Sequence, residues 1–301
     1  MLASMLVSRL LMGGNIMHRI IALLAGYFIG LSVTVPAMAE SSYEQFNDPF
    51  RFYLGAFRPK VTSEININGE ILPPGPPIDV EDTLAVEDSK TVAWGGIAWH
   101  ISNRNSLEFE VFSLKRDGGV SETFDPPIQI GDTIIESGAI STAYDTSVAR
   151  LTYGFSLLRD ERMDLQLKAG LHVAELSVAL QLAGAICGPG TTPPGCPTGS
   201  TRAENEDVTA PLPHFGASFR YAITPAVAVN VNLIGFDIEV DDIDGSLVEF
   251  DADIAWQPWR HFGLGAGLRY FNVDVKGGNS ELNGSFDFEY VGPVIFVQST
   301  F

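Results

Sequence analysis

Basic residues are scarce in this chain: 18 Lys and Arg stand against 37 Asp and Glu, for a formal net charge of −19. Residues 1–39 hold no acid and two arginines, Arg9 and Arg19, so residues 40–301 carry −19 less those two, −21. A surface this acidic excludes nucleic acid and anionic surfaces as direct partners unless divalent cations intervene. Cysteine is nearly absent. The two that occur, Cys187 and Cys196, lie in the Gly/Pro/Thr-rich stretch AICGPGTTPPGCPTG. No histidine lies near enough in sequence to make them a metal site, so in an oxidising compartment they read as a loop disulfide. Long apolar runs are missing from 40–301 as well. Nothing there approaches the roughly 18 consecutive apolar residues of a membrane helix, although mean hydropathy is positive. The hydrophobicity is therefore dispersed.

The N-terminal segment is different. His18 and Arg19 precede a greasy stretch, Ile20 to Val35, and Ala37-Met38-Ala39 forms a small-x-small cleavage site before Glu40. This is the anatomy of a secretory signal. Residues 1–16 precede a second candidate start, Met17. The expected division is 1–39, extension and signal, and 40–301, one mature domain.

The mature domain alternates. Val248, Phe250, Ala252, Ile254 and Trp256 fall on one face of a strand, with Glu249, Asp251, Asp253 and Gln257 on the other. Phe262, Leu264, Ala266, Leu268 and Tyr270 oppose Gly263, Gly265, Gly267 and Arg269. Leu165, Leu167, Ala169, Leu171 and Val173 oppose Gln166, Lys168 and His172. A period of two with one apolar face is the pattern of a barrel whose outside meets lipid and whose inside is polar. Strands are expected at 50–65, 86–101, 106–117, 142–158, 163–183, 209–223, 226–240, 246–257, 261–276 and 283–301. Tight turns at 103–105, 159–161, 224–225 and 258–260 alternate with richer loops near 66–85, 118–141, 184–208, 241–245 and 277–282. Short periplasmic turns and longer outer loops give a closed antiparallel transmembrane β-barrel of ten strands, with eight or twelve as alternatives.

Two further patterns carry expectations. Apolar parity changes along some strands: Leu176, Val178, Leu180 and Leu182 follow the other phase, as do Phe286, Phe288 and Tyr290 before Gly292-Pro293. A bulge flips the faces there, the outer halves of the strands rise beyond the bilayer, or both. Aromatics are expected in two girdles. Trp99, Tyr153, Phe155, Tyr221, Trp256, Trp259, Phe262 and Phe301 make the lower one. Phe112, Tyr144, Phe236, Phe271 and Tyr290 make the upper.

On these residues the chain resembles the small Gram-negative outer-membrane β-barrel proteins. The Ala37-Met38-Ala39 site, the alternating strands and the terminal VIFVQSTF carry the likeness. Phe301, with Ile295 and Val297 on its face, looks like the signal read by the barrel assembly machinery. Ser299 stands where that family prefers an aromatic. LAVEDSKTVAWGGIAWHISNRNSLEFEVFSL and YVGPVIFVQSTF are similar to an uncharacterised group of proteobacterial barrels. The resemblance implies the cell outer membrane, periplasmic chaperones and the assembly machinery as partners, and no particular activity.

The residues that could carry chemistry face the lumen: His100, Glu108, Glu110, Arg150, Lys168, His172, Arg220, Glu249, Asp251, Asp253 and Arg269. If the turns are symmetric about Trp259 and Arg104, Glu249 faces Arg269 and His100 faces Glu108. Opposed charges in a narrow barrel plug it. Omptin proteases, also ten-stranded, need paired aspartates and an Asp-His pair high on the barrel; Asp241, Asp242 and Asp244 have no histidine at an adjacent strand top. A lipid A deacylase would want a His-Ser pair facing lipid, whereas His172 reads as lumenal. Asp241-Asp242-Ile243-Asp244-Gly245 is an incomplete calcium loop and reads as an acidic turn. No metal and no cofactor is expected. Three functions remain: a monomeric structural or surface-interaction barrel with a plugged lumen, touching lipopolysaccharide through divalent cations; a porin-like small channel or carrier; and an outer-membrane hydrolase or lipid A-modifying enzyme.

Overall fold

The computed structural model describes residues 43–67, 75–130, 132–188, 191, 193, 195–240, 243–278 and 283–301. The expected signal segment and Asp241 and Asp242 of the acidic turn lie outside the described residues.

Residues of alternating polarity build one antiparallel sheet from β1 (Phe50–Phe57), β2 (Lys60–Ile67), β3 (Ile78–Asp79), β4 (Val92–His100), β5 (Asn105–Ile130), β6 (Thr133–Arg159), β7 (Met163–Cys187), β8 (Ser200–Thr224), β9 (Val227–Val240), β10 (Ile243–Trp259), β11 (Phe262–Gly278) and β12 (Asn283–Thr300). The order runs β1-β4-β5 through β12, and β12 returns to β1, which closes a ring of ten. β2 continues β1 past Arg58-Pro59 without changing register on β12: Phe57 opposes Val294 and Lys60 opposes Val291. Gly292 is required beside this break, because a Cβ there would lie 2.2 Å from the Arg58 carbonyl oxygen.

The strands of one wall are far taller than a bilayer needs. β5 to β8 have 25 to 27 residues each, whereas about 9–11 span a membrane. Most of the expected loops at 118–141 and 184–208 are therefore strand. Their Gly, Pro and acidic residues resemble loop chemistry because this upper wall is bathed in water, not lipid. Pro126-Pro127 falls in the register shift between Thr123 and Ile128, where a missing N–H is tolerated.

The change of medium also explains the change of parity. β11 and β12 pair without a shift from Gly263–Gln298 to Gly278–Asn283, so there is no bulge at Gly292-Pro293. Phe286, Phe288 and Tyr290 point inward, on the same face as Phe296 and Gln298. Leu182 likewise shares the inward face of β7 with His172. In the lower half the outside is apolar, with Leu54, Phe109, Leu151, Leu167, Phe215, Ile254, Leu264 and Ile295 exposed, and the inside is charged. In the upper half the outside carries Lys115, Glu175, Asp237 and Asp287, and the inside is greasy. Each face matches its surroundings while the pleat runs unbroken.

The aromatics divide accordingly. Trp99, Tyr153, Tyr221, Trp256, Trp259, Phe262 and Phe301 are exposed around the lower rim, and Phe155 is half-buried beside them. The expected upper girdle does not form. Tyr144, Phe236, Phe271 and Tyr290 are buried inside the barrel, and Phe112 packs against them.

Part of the expected loop at 66–85 folds inward and fills the top. β3 pairs with β2, and the short helix α2 (Val80–Leu84) buries Val80 and Leu84 against Phe124, Ile128, Ile135, Ile140, Leu182 and Ile186. Asp79 caps the helix by accepting from the Asp82 N–H at 2.7 Å, the usual way an orphan helix N–H is satisfied. Residues 86–89 then stitch β2 to β5 above the short β4. Val61 N donates to the Asp88 carbonyl and Glu87 N donates to that of Asp117. At the lower end, helix α1 (Glu44–Asn47) places Phe46 against Ala222 and Ala228 and over the Arg220 guanidinium at 4.9 Å. Asp48 grips Arg260 through two hydrogen bonds.

Cys187 and Cys196 form a disulfide at the top of β7. By chain entropy so short a loop is worth about 3 kcal/mol at most. Since β7 is already fixed by both neighbours, the paired Ser variant is expected to shift the unfolding midpoint little and to raise protease cleavage within 188–199. Equal loss of stability and of loop protection would contradict this.

A charged layer and a vestibule inside the barrel

The inward residues of β5, β6, β10 and β11 meet in one layer. Arg269 donates to both Glu110 oxygens, at 3.0 and 2.8 Å. Its guanidinium lies 4.1 Å from the Trp94 ring centre and its Nε 3.2 Å from Asp251. Arg150 pairs with Glu110 at 3.2 Å and donates to Glu249. His172 Nε2 lies 3.0 Å from the second Glu249 oxygen. Glu110, Arg150, His172, Glu249 and Arg269 are all buried. Alternating charges answer each other here, so no charge is left alone in the layer.

Below it lies a more open polar vestibule. Glu108 accepts from Lys168 at 2.9 Å and from Tyr53 at 3.0 Å, with Arg51 at 3.6 Å. His100 lies 3.7 Å from Asp164. Asn230 donates to Asp253 at 2.6 Å and Asn232 to Asp251 at 3.1 Å. Arg220 lines the same space. Above the layer sit Phe271, Phe288, Tyr290 and Tyr144, then a second buried pair. Arg116, fully buried, donates to Glu81 of α2 and to Ser63 at 3.0 Å, with the Tyr144 ring 4.6 Å from its guanidinium.

All eleven sequence-derived lumen residues thus face the interior, in two tiers. Both expected pairings are wrong. Glu249 opposes Phe271, and it is Asp251 that opposes Arg269. The β10–β11 turn is centred one residue later than Trp259, with an irregularity between Trp256 and Trp259. A two-residue slip keeps every face and changes every partner. His100 opposes Ser106, and Glu108 opposes Ala98, because the β4–β5 turn is centred one residue earlier than Arg104. Glu249 takes Arg150 and His172 from across the lumen instead, and Glu110 takes Arg269 from across it and Arg150 from the register position opposite on β6. Glu81 and Arg116 escaped the sequence reading, because they looked like loop and strand-end residues. His214 is fully buried, 3.1 Å from Thr152 and with its ring 4.6 Å from that of His172; its inward parity on β8 was its only signal.

Ile295, Val297 and Phe301 are exposed on the outer face of β12. The described histidines lie in the layer, in the vestibule or at the lower rim. Among the described residues none is placed at the upper rim, where an omptin-like Asp-His pair would be needed, and no group of three or more His, Cys, Asp or Glu is arranged to hold a metal.

A closed antiparallel ring with a charged interior and an apolar lower belt is the architecture of an outer-membrane β-barrel. A solved structure shares this fold. OmpT, the outer membrane protease of Escherichia coli, matches over 84% of this chain and 97% of its own, at 10% identity and a TM-score of 0.55. The toluene transporter TodX of Pseudomonas putida matches over 84% and 90%, at 7% identity and a TM-score of 0.36. Ail, the attachment invasion locus protein of Yersinia pestis, matches over 82% and 99%, at 8% identity and a TM-score of 0.29. No family model matches the sequence, and no curated protein does. The protein is an outer-membrane β-barrel with the fold of OmpT; at such an identity that protein's activity does not transfer.

Proposed function

We propose that this protein is a monomeric, closed outer-membrane barrel with a structural or surface-interaction role. The observation that carries the reading is the filled lumen. A neutralising charged layer, a ring of aromatics, the Arg116–Glu81 pair and an aliphatic cap around α2 succeed one another along the axis. Small barrels whose interiors are occupied by side chains do not conduct. What remains is the tall outer wall, held rigid for contact with something at the cell surface. Just above the lipid-facing belt, Glu64, Asp287 and Asp274 stand side by side on β2, β12 and β11. That row suits divalent cations shared with lipopolysaccharide phosphates. The outward Ile295, Val297 and Phe301 suit recognition by the assembly machinery after delivery by periplasmic chaperones. In planar bilayers the purified protein is expected to give no stepwise conductance beyond that of lipid alone. Steady ion steps at low voltage would replace this reading with a channel.

One observation favours a second reading, a carrier for hydrophobic solutes. Among the described residues β8 and β9 pair only from Phe215–Gly235 downward. Above it, Pro211 and Pro213 lack the N–H groups a ladder needs, and the two strands part. Uptake of a hydrophobic probe by proteoliposomes that show no ion conductance would support the carrier over the plug.

A further inference from the structure

The vestibule under the charged layer encloses a cavity of about 110 Å³. Its wall has polar atoms that no protein group satisfies. Nε and Nη2 of Arg220 are buried without a hydrogen-bond partner, and so is Asn232 Oδ1; Asp251 beside it is already held by Arg269 Nε at 3.2 Å. Arg220 makes no direct ion pair among the described residues; Asp164 opposes it on β7, and the Phe46 ring lies 4.9 Å from its guanidinium. Two register rows present these groups side by side. Arg220, Asn230 and Asp253 align across β8, β9 and β10, and Ser218, Asn232 and Asp251 align beside them. β1 lies diametrically opposite β8 in the ring and brings Arg51 to the same cavity.

Buried unsatisfied donors and acceptors around a space this size call for a polar occupant. Two guanidinium N–H groups without acceptors call for a carboxylate-like group to receive both. A plain anion does not suit the whole cavity, however, because carboxylates outnumber Lys and Arg by one among its lining residues. A molecule carrying both charges adds no net charge and answers both kinds of orphan atom. We propose that the vestibule binds a small zwitterion with a carboxylate and an ammonium group, of which an α-amino acid with a short side chain is the simplest. The carboxylate sits on Arg220. The ammonium sits against Asn232 Oδ1. The ligand comes from the periplasm, beside Phe46, where a crevice touches both Asp164 and Arg220. The site lies wholly below the charged layer, so it does not depend on whether that layer conducts.

The test is calorimetric titration of the full folded chain in detergent with glycine and alanine. Acetate, methylammonium and inorganic phosphate serve as single-charge probes. Fluorescence of Trp94, which lines the cavity, is a second readout. Saturable binding of glycine or alanine is expected, at least tenfold tighter than acetate or methylammonium. Arg220→Met and, separately, Asn232→Leu should each weaken it tenfold or more, in protein whose gel mobility still shifts on boiling. No saturable binding of either amino acid would mean the cavity holds water alone and would overturn the proposal. Acetate or phosphate binding as tightly as glycine would make it an anion site and overturn the zwitterion. Unchanged binding in both folded variants would place the ligand elsewhere.

Discussion

Arg150→Ala is expected to lower the stability of the barrel by about 3–5 kcal/mol, the range for stripping one partner from a buried ion pair. Arg150 is the guanidinium between Glu110 and Glu249, and all three are buried. Its loss leaves Glu110 with Arg269 and Glu249 with only His172. Neutralising the stranded acid should recover part of the loss, so Arg150→Ala with Glu249→Gln should be more stable than the sum of the two single effects. Denaturant midpoints of the four proteins in lipid vesicles measure the coupling. Arg269→Ala should be rescued by Glu110→Gln and not by Glu249→Gln, because Arg269 holds Glu110 through two hydrogen bonds. Simple additivity in both cycles would show that the layer is wet enough for solvent to screen each charge separately.

Glu81→Ala is expected to act locally and strongly. It leaves the fully buried Arg116 guanidinium with Ser63, the Glu87 carbonyl and the Tyr144 ring, and the lost pair is again worth about 3–5 kcal/mol. The ring of strands persists without α2, because β5, β6 and β12 keep their ladders. Segment 78–91 is held mainly by Glu81, by the contacts of Val80 and Leu84, and by a few backbone bonds. Limited proteolysis should therefore cut the variant within 78–91 under conditions where the parent resists. Glu81→Gln, which can still accept from Ser63 N, should restore part of the protection. Unchanged resistance in Glu81→Ala would show that the apolar cap alone holds the plug.

The periodicity of this sequence determined a good deal. A side-chain period of two, tight turns at one end and richer segments at the other led to ten strands, to the closed barrel and to the inward face of each lumen residue. These are local properties: the pleat assigns a side to each residue whatever its neighbours are. The position of Cys187 and Cys196 in one short loop likewise announced their pairing.

What the tertiary structure alone decided is partnership and medium. Whether Glu249 meets Arg269 depends on a turn centre that slips by one residue, and its true partners, Arg150 and His172, lie on strands far away in sequence. Whether Phe288 and Leu182 face lipid or lumen depends on how high the strands stand. A hydrophobic residue signals burial without saying behind which wall. The sequence also could not show that 78–86 turns inward, since a short polar helix reads as a loop until Arg116 is seen waiting for Glu81. Alternation is written residue by residue, whereas register, depth and contact across the lumen exist only once the ring has closed.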